Sequence, residues 1–129
     1  MKIWRKALFP FQILFAGVVL LRKKLYQNGV ISRYIAPMPT IVIGNLSTGG
    51  TGKTPMVDFL LSYFSQKMEL GVLSRGYGRK TSGFLTVHAK SLSHEVGDEP
   101  LMLIKKHPAV FMAVCENRPK GIVQMLQHR

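Results

Sequence analysis

The stretch that most constrains this chain is Ser47-Thr48-Gly49-Gly50-Thr51-Gly52-Lys53-Thr54. It follows an apolar, β-branched run, Ile41-Val42-Ile43, and precedes an amphipathic one that begins near Pro55. Buried strand, glycine-rich turn and helix start, in that order, make a phosphate-binding loop. Its glycines let the backbone approach a polyphosphate closely and turn several N–H groups inward. The N-terminus of the next helix adds its partial positive charge. On this reading all eight residues cradle the phosphates, Lys53 reaches the terminal ones, and Thr54 offers its hydroxyl to Mg²⁺. Ser47 stands where the full pattern G-x-x-x-x-G-K-[ST] has its first glycine. Gly49, Gly50 and the flanking elements still favour a phosphate loop over a glycine-rich turn with an incidental lysine.

Composition narrows the partners. The chain has 129 residues, one domain at most, and its 18 basic against 6 acidic residues give a net charge of +12. Such a charge suits nucleic acid, anionic lipid or a polyphosphate. No acid precedes Asp58, whereas Lys2, Arg5, Lys6, Arg22, Lys23, Lys24 and Arg33 crowd the N-terminal segment. Aromatic residues do not alternate with basic ones in a recognition-module pattern, so no nucleic-acid partner is expected. The lone Cys115 excludes an internal disulfide and reads as a small buried residue. His88, His94, His107 and His128 lack metal-ligand spacing, and Lys105-Lys106 reads as solvated charge.

The run from Ala7 to Leu21 is apolar on all sides and flanked by Trp4-Arg5-Lys6 and Arg22-Lys23-Lys24. It is short of the ~20 apolar residues that a free-standing spanning helix needs. It also ends in three cations where a cleavable signal would end in small residues. The favoured reading is a shallowly inserted or tilted membrane anchor, held by Trp4 and by basic residues at anionic headgroups. The alternative is a hydrophobic helix packed on the rest of the protein. Pro37 and Pro39 then separate an anchor and linker, residues 1–36, from a body, residues 37–129.

Within the body, Thr40 to Gly44 reads as a central strand, and a helix with Pro55 in its first turn carries an apolar face of Met56, Phe59, Leu60 and Phe64 to about Met68. Leu70 to Ser74 is a strand running into the loop Arg75-Gly76-Tyr77-Gly78-Arg79, and Phe84 to Val87 a short hairpin or edge strand. A helix opens at Gly97-Asp98-Glu99-Pro100 and continues to about Lys106; a buried strand at Ala109 to Val114 and a helix at Arg118 to Gln127 follow. Alternating strands and helices imply an α/β fold, a parallel sheet with flanking helices of the P-loop NTPase kind.

Two further stretches are candidates for chemistry. Loops at the carboxyl ends of strands line the ligand crevice in such folds, so Arg75 and Arg79 suit phosphate on a substrate as well as a solvated turn does. Asp98 reads plainly as a helix N-cap, with Glu99 and Pro100 favourable in the first turn. Phosphoryl transfer to an alcohol, however, needs one carboxylate to accept the hydroxyl proton and another near Mg²⁺. Among only six acids, Asp98 and Glu99 are the best placed.

Taken in order, the basic hydrophobic N-terminal helix, Gly44-Asn45-Leu46-Ser47-Thr48-Gly49-Gly50-Thr51-Gly52-Lys53-Thr54-Pro55, Ser74-Arg75-Gly76-Tyr77-Gly78-Arg79 and Gly97-Asp98-Glu99-Pro100 resemble the tetraacyldisaccharide 4'-kinases, the lipid A disaccharide kinases of Gram-negative bacteria. Ser47 is typical of that family's loop. The resemblance implies a kinase at the cytoplasmic face of the inner membrane that moves the γ-phosphate of ATP to the 4'-hydroxyl of a lipid A disaccharide precursor, using Mg²⁺. It implies Lys53 and Thr54 as phosphate and Mg²⁺ contacts, Asp98 as the catalytic acid/base, Glu99 near the metal, and Arg75 and Arg79 close to the substrate. Such kinases are much longer and carry a D-D-x-F-Q-H stretch that is absent here. The chain is therefore read as an N-terminal portion, with little or no turnover expected of it alone. The competing readings are a partitioning-type ATPase, whose lysine before the glycine pair is here Thr48, and a non-catalytic membrane-binding module with a vestigial loop.

Overall fold

The computed structural model describes residues 9–44 and 52–128. Trp4, Ala7 and the loop residues Ser47, Thr48, Gly49, Gly50 and Thr51 lie outside them. The chain divides into two compact units, residues 1–35 and 36–129.

The first unit contains helix α1, Phe9–Gln27. At 1.5 Å per residue its 19 residues extend about 28 Å. Phe11, Leu14, Phe15, Val18 and Leu21 are all exposed, in line with an apolar surface that runs round the helix. Even so, no helix among the described residues is long and apolar enough to cross a membrane. Gly29, at φ 72°, lets the chain turn out of the helix, and the Leu25 carbonyl there accepts from the Ile31 N–H at 3.2 Å. Tyr26 receives two guanidinium groups, Arg22 at 5.7 Å and Arg33 at 5.8 Å from its ring centroid.

The second unit holds α2 (Lys53–Phe64), β1 (Gly71–Ser74), β2 (Leu85–Thr86), α3 (Ser93–Val96), α4 (Asp98–Lys106), β3 (Phe111–Val114) and α5 (Arg118–Gln127). The strand order is β1-β3-β2. β1 pairs with β3 in parallel, Val72 opposite Met112, and β2 pairs with β3 antiparallel, Thr86 opposite Ala113. The sheet is thus mixed where a parallel one was expected. The short strand at 85–86 lies at an edge, as its length suggested, but it partners β3 and forms no hairpin.

Side chains alternate across this sheet and give it two covered faces. Val72, Met112 and Val114 join Leu61 of α2 and Leu103 and Ile104 of α4 in one apolar cluster. Each such side chain stabilises the fold by roughly 1.5–3 kcal/mol on burial. Leu73 and Cys115 face the other way and meet Gly121 of α5; a Cβ there would lie 2.8 Å from Leu73 Cδ2 and 2.9 Å from Cys115 Cβ. Cys115 is buried, as its solitary occurrence implied. Helix α5 starts where Asn117 accepts from the Lys120 N–H at 3.1 Å, with Pro119 in the first turn.

Two expectations fail here. Residues 40–44 form no strand, and Ile41 and Val42 are 68% and 87% exposed. β-Branched residues favour a pleated surface only where neighbouring strands supply hydrogen bonds and cover, and the three-stranded sheet takes this run up at neither edge. The second concerns α2. Val57 and Leu61 enter the core, whereas Met56 and Phe59 stay exposed. The segment Met-Val-Asp-Phe-Leu-Leu offers two adjacent apolar stripes, and periodicity alone does not choose between them. Polar contacts to α4 accompany the observed rotation, as the site shows.

Candidate phosphate and metal site

Gly52 adopts a left-handed conformation, φ 76°, immediately before α2 begins at Lys53. Helix onset thus falls on Lys53 and Thr54, and Pro55 lies in the first turn as expected, where a missing N–H costs little. The Thr54 hydroxyl donates to Glu99 Oε1 at 2.5 Å. Two residues 45 positions apart, each singled out for Mg²⁺, therefore touch. Thr54, Asp58 and Leu61 lie at i, i+4 and i+7, one stripe of α2.

Glu99 reaches that point because of how α4 begins. Its N-cap is Gly97, at φ 93° and ψ 157°, so Asp98 is the first helical residue and not the cap expected of it. A Cβ on Gly97 would sit 3.0 Å from the Tyr77 carbonyl oxygen and 3.3 Å from the Gly76 carbonyl carbon. Gly76, at φ 68°, is equally tight: its Cβ would lie 3.0 Å from the Val96 carbonyl. The Arg75-to-Arg79 loop and the Gly97 turn thus interlock through two glycines, which brings together two motifs 20 residues apart (Tyr77 and Gly97). Gly97→Ala is expected to destabilise the protein by about 1–3 kcal/mol, since it adds both positive-φ strain and a backbone clash. Denaturant unfolding of the variant checks this, with a lower midpoint and an unchanged slope as the expected outcome.

Asp98 points elsewhere than Glu99. It is exposed, and its Oδ1 accepts from the Ser93 hydroxyl. Both acids occupy the first turn of α4, where the helix dipole favours negative charge. Lys53 is exposed at the start of α2.

The two loop arginines have different environments. Arg75 is exposed. The Arg79 side chain is 3% exposed; its Nη2 donates to the Gly83 carbonyl at 2.6 Å and pairs with Glu116 Oε1 at 2.5 Å. Glu116 Oε2 in turn accepts from the Gly83 N–H at 3.0 Å. Through Nη2 alone Arg79 ties the ends of β1, β2 and β3 together, while its Nε and Nη1 are buried with no hydrogen-bond partner among the described residues. Sequence reading passed over Arg118, whose Nη1 donates to the Leu73 carbonyl at 3.0 Å. Burial, and after it the Arg75 guanidinium, hold Arg118 below its ordinary value; Arg75 follows β1 and Arg118 follows β3.

Asp58 was also passed over. Its carboxylate accepts from Lys106 Nζ, an exposed charge as expected, and lies 2.7 Å from His107 Nε2. Lys106 and then His107 draw its carboxyl below the usual range; a bond to its own backbone and then Arg79 do the same for Glu116. Both folded values lie below the unfolded ones, so these groups contribute stability above about pH 4 and lose it as pH falls through their folded values. Acid unfolding followed by circular dichroism should show this limb, and Asp58→Asn with Glu116→Gln should flatten it.

Among the described residues no group of three or more His, Cys, Asp or Glu could hold a metal. A site of one hydroxyl and one carboxylate is nonetheless the hard-oxygen set that Mg²⁺ takes when phosphates and water complete its shell.

The model of the tetraacyldisaccharide-1-P 4'-kinase family matches residues 4–129. The chain belongs to that family. It is 42% identical over 126 residues to the tetraacyldisaccharide 4'-kinase of Flavobacterium psychrophilum, covering 98% of this chain and 37% of that protein. It is 45% identical over 121 residues to that of Cytophaga hutchinsonii, covering 93% of this chain and 34% of the relative. The chain therefore spans about a third of the length of these kinases. The crystal structure of LpxK from Aquifex aeolicus in complex with ATP superposes with a TM-score of 0.81 at 37% identity, over 97% of this chain and 41% of that one. The family match does not favour a partitioning-type ATPase.

Proposed function

We propose that this chain is the nucleotide-binding portion of a tetraacyldisaccharide 4'-kinase of lipid A biosynthesis. In this reading residues 47–54 wrap the polyphosphate of ATP, with Lys53 on its terminal phosphates. Thr54 and Glu99 would hold Mg²⁺, which supplies charge neutralisation at the transferring phosphoryl group. Asp98 accepts the proton of the acceptor's 4'-hydroxyl as its oxygen bonds to the γ-phosphorus. The bond from that phosphorus to the β–γ bridging oxygen breaks, and its electron pair leaves with ADP. Arg75, with Arg118, draws a phosphate of the acceptor; Arg79 is the pin that holds their loop. The observation that carries this reading is the Thr54–Glu99 hydrogen bond, which joins loop and acid-bearing helix in a chain of this family.

The acceptor would be a tetraacyl disaccharide 1-phosphate, and α1 would bring the chain to it at the cytoplasmic face of the inner membrane. The exposed apolar surface of α1 beside Arg22, Lys23 and Lys24 supports insertion among anionic headgroups.

Two measurements test this. Calorimetric titration of the 129-residue chain with ATP should show binding that tightens with Mg²⁺, with negligible phosphoryl transfer; absence of nucleotide binding, or robust kinase turnover, would overturn it. Sedimentation with vesicles containing phosphatidylglycerol should pull down the chain, and removal of residues 1–36 should abolish this. Equal sedimentation without them would sink the anchor.

A further inference from the structure

Helices α2 and α4 touch through polar groups at two places. At the front, Thr54 bonds Glu99 at 2.5 Å. One turn further along α2, Asp58 holds both Lys106, seven residues on from Glu99 along α4, and His107 at its C-cap. Thr54 and Asp58 share a stripe by i, i+4 spacing, and Glu99 and Lys106 share one by i, i+7. A single front contact would leave α2 free to roll and slide against α4. A second contact at the rear removes both freedoms.

This matters because Lys53 and Thr54 are the first two residues of α2, so any roll of that helix turns them directly. The apolar cluster gives α2 weak rotational preference, since Met56 and Phe59 on the neighbouring stripe are as apolar as Val57 and Leu61. The rear pair is partly withdrawn from water, with His107 and Asp58 side chains 10% and 26% exposed. It is therefore less screened than a fully solvated pair. Besides Lys106 and His107, no charged side chain has a hydrogen bond or ion pair to Asp58 among the described residues.

We infer that Asp58 is a positioning residue: through His107 and Lys106 it locks the rotation of α2 and so sets the Thr54–Glu99 contact. Its bearing on catalysis rests on the reading of Thr54 and Glu99 as the Mg²⁺ pair. Asp58 itself touches neither nucleotide nor acceptor.

The test uses the whole 129-residue chain, first without ligand. Amide hydrogen exchange in Asp58→Asn should speed up about tenfold at Met56 and Val57 of α2 and at Leu101 and Met102 of α4, with the β3 amides within twofold of wild type. His107→Gln keeps a donor for Asp58 and should retain most of the protection, whereas His107→Leu should lose it; this pair decides the matter if Asp58→Asn folds poorly. Uniform acceleration, as a merely structural role would give, or no change at all would overturn the inference. In the second arm, ATP is titrated with and without Mg²⁺. Asp58→Asn should lose about tenfold of the Mg²⁺-dependent affinity, with metal-free affinity within twofold; equal loss in both would also overturn it. Should the wild type gain nothing from Mg²⁺ while the exchange pattern shifts as described, the lock stands and the metal reading of Thr54 and Glu99 falls.

Discussion

Lys53→Ala is expected to weaken ATP binding by the 129-residue chain by 10- to 100-fold. A charge-assisted contact to phosphate contributes roughly 1.5–3 kcal/mol, and each 1.4 kcal/mol is about tenfold in affinity. The loss should be specific. Lys53 is exposed at the start of α2 and lies outside the apolar cluster that holds the fold, so the thermal midpoint should stay near that of wild type. Lys53→Arg keeps the charge but replaces a compact ammonium by a planar fork, and should recover only part of the affinity. Calorimetric titration of the three proteins with Mg²⁺-ATP measures the difference. Unchanged binding in Lys53→Ala would mean that the Ser47-to-Thr54 stretch does not cradle a phosphate.

How far the residues alone foretold this site depends on the range of the forces involved. Local signals were legible. Helix α5 spans Arg118–Gln127 as its pattern indicated, because Asn117 and Pro119 mark its start through contacts within a few residues. Strand β3 and the opening of α4 were readable for the same reason, an apolar run in one case and a Gly-Asp-Glu-Pro stretch in the other. The motif residues Thr54 and Glu99 were legible by chemistry, though their contact across 45 positions was not. What escaped was set by long-range partners. Ile41 and Val42 have the composition of a strand, but strand formation belongs to the pair and not to the run. Arg79 reads as a phosphate fork on a loop, and no local signal tells that Glu116, 37 residues on, pairs with its Nη2. Asp58 looked like one more acid on a helix, and only the fold of α4 onto α2 gives it Lys106 and His107.

The Asp98 and Glu99 pair invites an experiment in which adjacent residues fail in different ways. They are consecutive on α4, about 100° apart around the helix, and their partners differ accordingly: Ser93 for Asp98, Thr54 for Glu99. In a chimaera whose first third is this chain and whose remainder comes from the Flavobacterium psychrophilum relative, Asp98→Asn should reduce kcat by about 10²–10⁴-fold, the usual span for loss of a general base. Its Mg²⁺-ATP affinity should hold, because Asp98 faces away from the Thr54 contact. Glu99→Gln should instead raise the Mg²⁺ concentration needed for half-maximal rate, with kcat partly restored at saturating metal. Since Asp98 supplies proton acceptance and no charge to the metal, added Mg²⁺ should leave its variant unrescued. Rescue of Asp98→Asn by Mg²⁺, or indifference of Glu99→Gln to it, would exchange the two roles. Retention of full turnover in both would remove the catalytic assignment from this helix, leaving its acids the plain task of favouring a helix start.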